Sequence, residues 1–292
     1  AIRKKGDIRA LDTIRFGITT HRGCYGQCNF CAIAVHQGRR IVSRSEKSIV
    51  EEARRMSAHP KWRGTISDVG GPTANMYGFD CEKKKTAGAC TNRRCLFPSV
   101  CRFLGVDHTR QMRLLKELRS LPNVRNVFVS SGIRPDLVAA DEKHGDGYIE
   151  AIVRNHVSGQ LKLAPEHTCA HVLECMGKPG VKSLLRFKSA FERANRKFGK
   201  RQFLTYYFIA AHPGCTVRDM RELKRFATTE LKLNPEQVQI FTPTPLTHAT
   251  CMYYTGLDPD TMKEVFVDRK RSSRELQKSI LTEKGNRPTG RR

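Results

Sequence analysis

A chain of 292 residues, 39% of them apolar, is long enough for one α/β barrel or two average domains and can bury a core, which excludes global disorder. Its 53 Lys and Arg against 28 Asp and Glu leave a formal net charge of +25, a field that draws anions to the surface. No apolar run is long enough to span a bilayer and the charged start, Ala1 to Asp7, lacks a signal-peptide core, so the expected location is cytoplasmic, without a membrane partner.

The first predicted strand runs from Arg15 to His21 and leads into Cys24-Tyr25-Gly26-Gln27-Cys28-Asn29-Phe30-Cys31. Three thiolates on one short loop suit a metal cluster with one coordination position left open, since iron–sulfur clusters normally take four cysteines. The plain alternative is three buried, reduced thiols. A helix is expected from about Glu46 to His59, capped by Ser45, with Ile49, Val50, Ala53 and Met56 on its apolar face. Gly64 to Val69 makes the second strand. A helix near Thr109 to Leu121 then precedes the third, Val124 to Val129. The fourth is Gln160 to Leu163, the fifth Phe203 to Ile209 and the sixth Val238 to Phe241, with helical stretches between. Strand–helix alternation implies a parallel sheet with right-handed crossovers, and in such barrels chemistry gathers at the carboxyl ends of the strands. The second strand ends in Gly70-Gly71-Pro72, where backbone can approach a ligand or simply turn. The third ends in Ser130-Ser131-Gly132-Ile133-Arg134, whose hydroxyls and guanidinium suit a ribose and a carboxylate. The later strands end in Glu166-His167, His212-Pro213-Gly214-Cys215 and Thr242 to His248; for any single His a structural hydrogen bond is the commoner role.

The C-x3-C-x2-C spacing with Phe30 before its last cysteine resembles the signature of radical S-adenosylmethionine (SAM) enzymes. Arg22-Gly23-Cys24 through Gln37-Gly38-Arg39, with Ser43-Arg44-Ser45, is similar to the YgiQ-type subfamily, and the likeness extends over about residues 14 to 256. The resemblance implies a partial (βα)6 TIM-like barrel with a cysteine-rich insertion after its second strand. It implies a 4Fe-4S cluster on Cys24, Cys28 and Cys31, whose unligated iron chelates SAM and whose electron cleaves it to a 5'-deoxyadenosyl radical. Phe30, Gly70, Gly71, Ser131 and Arg134 are then the expected cofactor-binding residues, and flavodoxin or ferredoxin the expected kind of electron donor. Catalytic residues and substrate are not assigned.

Residues 14–256 are expected to form this core, 1–13 to be a linker or the end of a missing N-terminal domain, and 257–292 a basic extension whose end, beyond Gly285, is disordered. In that extension Leu276 and Ile280 are the expected packing face of a helix. The insertion, residues 80–101, holds Cys81, Cys90, Cys95 and Cys101 spaced C-x8-C-x4-C-x5-C, between runs rich in Lys and Arg. Four thiolates satisfy zinc or a closed iron–sulfur cluster, and a hydrophilic segment with little core of its own is suited to metal stapling; surface thiols are the alternative. Cys169, Cys175, Cys215 and Cys251 read as structural, with a redox-active role the alternative for Cys215, which lies near the expected barrel mouth. The competing function is a basic iron–sulfur or zinc protein that binds RNA or acts as a sensor without catalysis, and the charge keeps RNA or the ribosome as a candidate partner.

Overall fold

The computed structural model describes residues 10–236 and 238–283. These divide into two compact units interleaved along the chain: 10–27, Ile33–Leu163 and Lys182–Thr205 make the first, and Cys28–Ala32, Ala164–Val181 and 206–283 the second.

In chain order the elements begin with α1 (Ala10–Ile14), β1 (Gly17–Thr19), β2 (His21–Arg22), α2 (Ile33–Gln37), β3 (Val42–Ser43) and α3 (Glu46–Ser57). The last starts as expected, with the Ser45 side chain accepting from the Ser48 N–H and Ile49, Val50 and Ala53 buried. There follow β4 (Thr65–Ile66), β5 (Asp68–Gly70), a 3-10 turn at Ala74–Met76, α4 (Glu82–Ala87), α5 (Thr109–Arg119), β6 (Asn126–Val127), α6 (Pro135–Ala140) and α7 (Gly145–Asn155). Then come β7 (Gln160–Glu166), α8 (Ala170–Met176), α9 (Lys182–Lys197), β8 (Phe203–Ala210), α10 (Val217–Thr229), β9 (Val238–Ile240), α11 (His248–Thr255) and α12 (Arg271–Thr282).

Parallel pairing dominates, as strand–helix alternation requires. In the first unit β1 pairs with β5 and β4 with β6, both parallel, and the short β2–β3 pair is antiparallel. The strand expected at Gly64–Val69 is thus two strands, because the chain changes partners at Ser67: its N–H turns to the Phe16 carbonyl, while its own carbonyl accepts from Ser130 Oγ. Only Asn126 and Val127 of the expected third strand keep ladder geometry; Phe128 continues with single bonds to Ile66 and Val69. Strand β7 outruns its expected end by three residues and heads a sheet in the order β7-β8-β9, where β8 and β9 pair in parallel. Helices α6, α7 and α9 pack together, and Val138, Ile149 and Phe187 meet at their junction. In the second unit α12 packs on α10 and β9.

Two expectations are corrected. Helix α12 turns Gln277 and Leu281 inward, not Leu276 and Ile280, and Leu276 is 47% exposed. The buried Gln277 amide explains the choice: Nε2 donates to Asp268 Oδ2 at 2.9 Å and to the Cys215 carbonyl at 3.3 Å, while Oε1 accepts from the Ala211 N–H at 2.9 Å. The insertion, in turn, does not lack apolar packing. Cys81, Cys95, Leu96 and Leu104 join Tyr25, Ile41, Met76, Phe79 and Leu137 in one buried cluster, with Cys24 and Cys101 packed against it. Apart from Leu96 and Val100 the apolar partners come from outside residues 80–101, so composition of the segment alone could not reveal them. The expected disorder beyond Gly285 lies outside the described residues.

Candidate functional site

The cysteine loop is pinned from both ends. Gly23, at φ +92°, brings the chain against the Arg40 carbonyl, 2.0 Å from where a Cβ would stand, so no other residue fits. Its N–H donates to Gln37 Oε1 at 3.1 Å, and the Cys24 N–H donates to the Gly38 carbonyl, also at 3.1 Å. The Gly26 N–H points at Cys24 Sγ, 3.3 Å away, a donor of the kind that stabilises a thiolate ligand. Tyr25, fully buried, donates to Asp80 Oδ1 at 2.7 Å. Past Gln27 the chain enters the second unit. There the Cys31 N–H closes a turn on the Cys28 carbonyl at 3.0 Å, and Asn29 is bonded to the Cys175 and Met176 carbonyls, both at 2.9 Å. Phe30 stands edge-on to His212, their ring centres 6.0 Å apart, beside Phe241 and Met252. All three cysteines are partly exposed.

A cavity of ≈ 760 Å³ in the first unit is lined by Thr19, His21, Arg22, Asp68, Gly70, Gly71, Ser130, Ser131 and Lys162, together with parts of α1 and α2. Gly70, Gly71 and Ser131 are therefore brought together at one wall. The two glycines have a packing reason as well: a Cβ on Gly70 would stand 2.8 Å from Ser131 Oγ, and one on Gly71 would stand 2.6 Å from the His21 ring. Asp68 fixes the serines, accepting from the N–H of Ser130 at 2.7 Å and of Ser131 at 3.0 Å, and from Ser131 Oγ.

Arg134 is not among these lining residues. Its guanidinium is spent on Asp136, with Nη2 at 2.5 Å and Nε at 3.0 Å, both side chains nearly buried. The structure thus gives this arginine a carboxylate partner inside the protein. Removing one member of a buried pair typically costs about 3–5 kcal/mol. Arg134→Ala should therefore lower the urea midpoint through loss of about 3 kcal/mol, and the pair Arg134→Met with Asp136→Leu should recover most of it. A stable Arg134→Ala protein with at least tenfold weaker SAM binding would return the residue to the ligand's side.

Sequence reasoning missed His21, Asp68 and Lys162. Asp68 left a signal, an acidic residue inside a strand, where aspartate is disfavoured. His21 sits 1% exposed, with Nδ1 2.8 Å from Thr20 Oγ1 and Nε2 without a hydrogen-bond partner. Burial lowers its pKa to about 4, and lowers that of His212 to about 4 and of His167 to about 3. These imidazoles are neutral in the folded chain while the unfolded chain takes up protons below pH 6.5, so stability is full above that value and falls as pH drops toward 4. A shift from 6.5 to about 4 corresponds to roughly 3 kcal/mol for a single group at its limit. Urea unfolding should show a midpoint that falls steeply from pH 6.5 to 5, and less steeply in His212→Gln.

The loops after the fourth to sixth expected strands belong to the second unit. His167 Nε2 lies 3.6 Å from Cys215 Sγ, which is 3.3 Å from Gln277 Oε1. Burial pushes the Cys215 thiol up, and pushes Cys169 to about 12 and Cys175 to about 11, as suits inert structural thiols. The four insertion cysteines line one cavity of ≈ 660 Å³ in the first unit.

Among the described residues no helix is long and apolar enough to cross a membrane. A family model described as the Radical SAM superfamily matches residues 18–227, and one described as a domain of unknown function (DUF3362) matches 236–286. A UPF0313 protein of Fusobacterium nucleatum is 56% identical over 282 residues, 97% of this chain and 50% of that protein. UPF0313 proteins of Methanocella arvoryzae (48%; 95% and 45%) and Thermotoga neapolitana (46%; 97% and 50%) are similar, so the chain spans about half the length of the curated relatives it matches. Among solved structures, the radical SAM methyltransferase TsrM of Kitasatospora setae, with cobalamin and a [4Fe-4S] cluster bound, superposes with a TM-score of 0.51 at 15% identity, covering 81% of this chain and 38% of that one. That likeness shows the fold alone, and it agrees with the α/β radical SAM class expected from the strand–helix order. The UPF0313 relatives accord with the YgiQ-type resemblance of the motifs. With more than two-thirds of its length matched by one family model, the chain belongs to the radical SAM superfamily of enzymes.

Proposed function

We propose that this chain is the SAM-cleaving core of a radical SAM enzyme, with a 4Fe-4S cluster on Cys24, Cys28 and Cys31 and SAM seated at the Gly70–Gly71–Ser131 wall. The observation that carries this reading is the family match over 18–227, which takes in both the C-x3-C-x2-C spacing and the residues of the ≈ 760 Å³ cavity. The donor set fits the group: three thiol side chains, one of them receiving a backbone N–H, leave a fourth position for a ligand. The cavity fits SAM on chemical grounds, since it offers a buried, unpartnered imidazole nitrogen, a glycine-lined backbone edge and charges of both signs.

When bound, the cluster supplies one electron, drawn from an external donor of the flavodoxin or ferredoxin kind, for reductive cleavage of the SAM sulfonium to methionine and a 5'-deoxyadenosyl radical. The chain's own residues bind and orient. Lys162 and Arg22 offer cations to the methionyl carboxylate, and Asp68, held by the Ser130 and Ser131 amides, offers negative charge to the sulfonium or amino group. His21, kept neutral by burial, presents Nε2 as a polar contact without adding charge. Gly70 and Gly71 let backbone reach the ligand where a side chain would intrude.

Anaerobic reconstitution with iron and sulfide, reduction with dithionite and addition of SAM should yield 5'-deoxyadenosine and methionine, measured by liquid chromatography. A folded chain with full cluster content that produces neither would overturn the reading.

A further inference from the structure

Outside the SAM-binding wall, the most chemically loaded part of the molecule is the cavity beneath the insertion. Cys81, Cys90, Cys95 and Cys101 all line it, although up to 20 positions separate them in sequence. The backbone around them is tied down. The Cys81 N–H donates to Asp80 Oδ1 at 2.8 Å, the Cys90 carbonyl accepts from Arg39 at 3.2 Å, and the Cys101 N–H donates to the Cys95 carbonyl at 2.8 Å. Thiols from separate turns, held around one space, are arranged as a ligand set is arranged. Surface thiols would have no reason to converge.

The surroundings supply what an anionic metal group needs. Lys84, only 2% exposed, brings its ammonium to the cavity wall; Nζ donates to the Arg39 carbonyl at 2.5 Å and lies 5.0 Å from the centre of the Tyr25 ring. An ammonium taken this far out of water is costly without negative charge nearby. Lys83 and Arg93 line the same cavity, while Phe103 and Leu104 close it with apolar surface. A buried lysine at the wall of this cavity is complemented by the charge of four thiolates.

The four sulfurs are set wider than a single ion would hold them. Tetrahedral zinc, with Zn–S of about 2.3 Å, holds its four sulfurs about 3.8 Å apart. Among the described residues, no three of these sulfurs lie within 4.8 Å of one another. The cavity, ≈ 660 Å³, is also far larger than one ion fills. A wide set around a roomy cavity fits a polynuclear group.

We infer that Cys81, Cys90, Cys95 and Cys101 hold a second iron–sulfur cluster, closed by four thiolates and so without an open iron for SAM. On binding, each thiol gives its proton to solvent and its sulfur to iron; ferrous and ferric iron in equal number, and sulfide, come from outside the protein, so assembly needs no further oxidant. The site adjoins the first cysteine loop, for Tyr25 bonds to Asp80, Asp80 to the backbone of Cys81, and Cys24 packs against the apolar cluster that includes Cys81 and Cys95. The inference does not depend on SAM being bound or cleaved.

The test uses the full chain carrying Cys24→Ala, Cys28→Ala and Cys31→Ala, reconstituted anaerobically with ferrous and ferric iron, zinc and sulfide together and then desalted. Iron and acid-labile sulfide should remain at about four each per chain, the content of a four-cysteine cubane, and the reduced paramagnetic resonance should be unchanged by SAM. Adding Cys90→Ala and Cys101→Ala should remove at least three-quarters of both, whereas Cys251→Ala, at an exposed thiol, should remove none. Retention of iron by the triple variant is decisive whether or not the fivefold variant folds. A triple variant with native circular dichroism that holds no metal, or that holds one zinc and no sulfide, overturns the inference.

Discussion

Replacing any one of Cys24, Cys28 and Cys31 with Ala should abolish SAM cleavage, with a loss of at least a thousandfold and product below detection. Two thiolates would not hold a cubane that already leaves one iron open, and without the cluster no electron reaches the SAM sulfonium. The effect should be chemical and not structural. All three side chains are partly exposed, so truncation leaves little cavity, and the loop keeps its anchors at Gly23, Tyr25 and Asn29. Thermal unfolding of each variant without metal should therefore stay within a few degrees of the unsubstituted chain. Cleavage persisting in a Cys28→Ala protein would mean that the ligands lie elsewhere.

The second large effect is expected at Gly71. Its missing Cβ leaves room for the His21 ring, whose Cε1 and Nε2 would stand 2.6 and 2.7 Å from that atom. His21 is buried and held at Nδ1 by Thr20, so it cannot step aside freely. Gly71→Val should cost about 1–3 kcal/mol of stability from overpacking. It should also weaken SAM binding by about ten- to a hundredfold, an equilibrium loss of about 1.4–2.7 kcal/mol, because the displaced ring and the added methyls both enter the cavity. Iron content should survive. The matched control is Gly147→Ala, on the exposed side of α7 with nothing within 4 Å of its Cβ position, which should leave SAM affinity unchanged. Equal affinity in Gly71→Val and the unsubstituted chain, by equilibrium dialysis, would remove this wall from the SAM site.

What could be read from sequence divides by the range of the interaction. Short-range chemistry was legible: the cysteine spacing, the Ser45 cap before α3, the apolar face at Ile49, Val50 and Ala53, and the glycine pair after a strand. Features settled by a distant partner were not. The break at Ser67 depends on Phe16 and Ser130, neither of them a sequence neighbour. The inward face of α12 depends on Asp268, Ala211 and Cys215 meeting one glutamine amide. His21 reads in sequence only as the end of a strand, and its place against Gly71 depends on a residue 50 positions away. Arg134 is the instructive case: its place at the end of a strand and the family resemblance point it at a ligand, yet its guanidinium meets Asp136, two residues along. At the insertion, local composition was a poor guide because the apolar side chains that pack Cys81 and Cys95 come from Tyr25, Met76 and Leu137.

The most direct measurement is low-temperature electron paramagnetic resonance of the dithionite-reduced, reconstituted chain, recorded with and without SAM. To isolate the first cluster, Cys81, Cys90, Cys95 and Cys101 are replaced by Ala in a parallel sample. In both samples SAM should shift the signal of a reduced 4Fe-4S cluster, because an iron with an open position gains a ligand, and in both the shift should vanish with Cys24→Ala. A fully reduced cluster on Cys24, Cys28 and Cys31 whose spectrum is indifferent to saturating SAM would contradict the assignment of that loop as the SAM-binding centre.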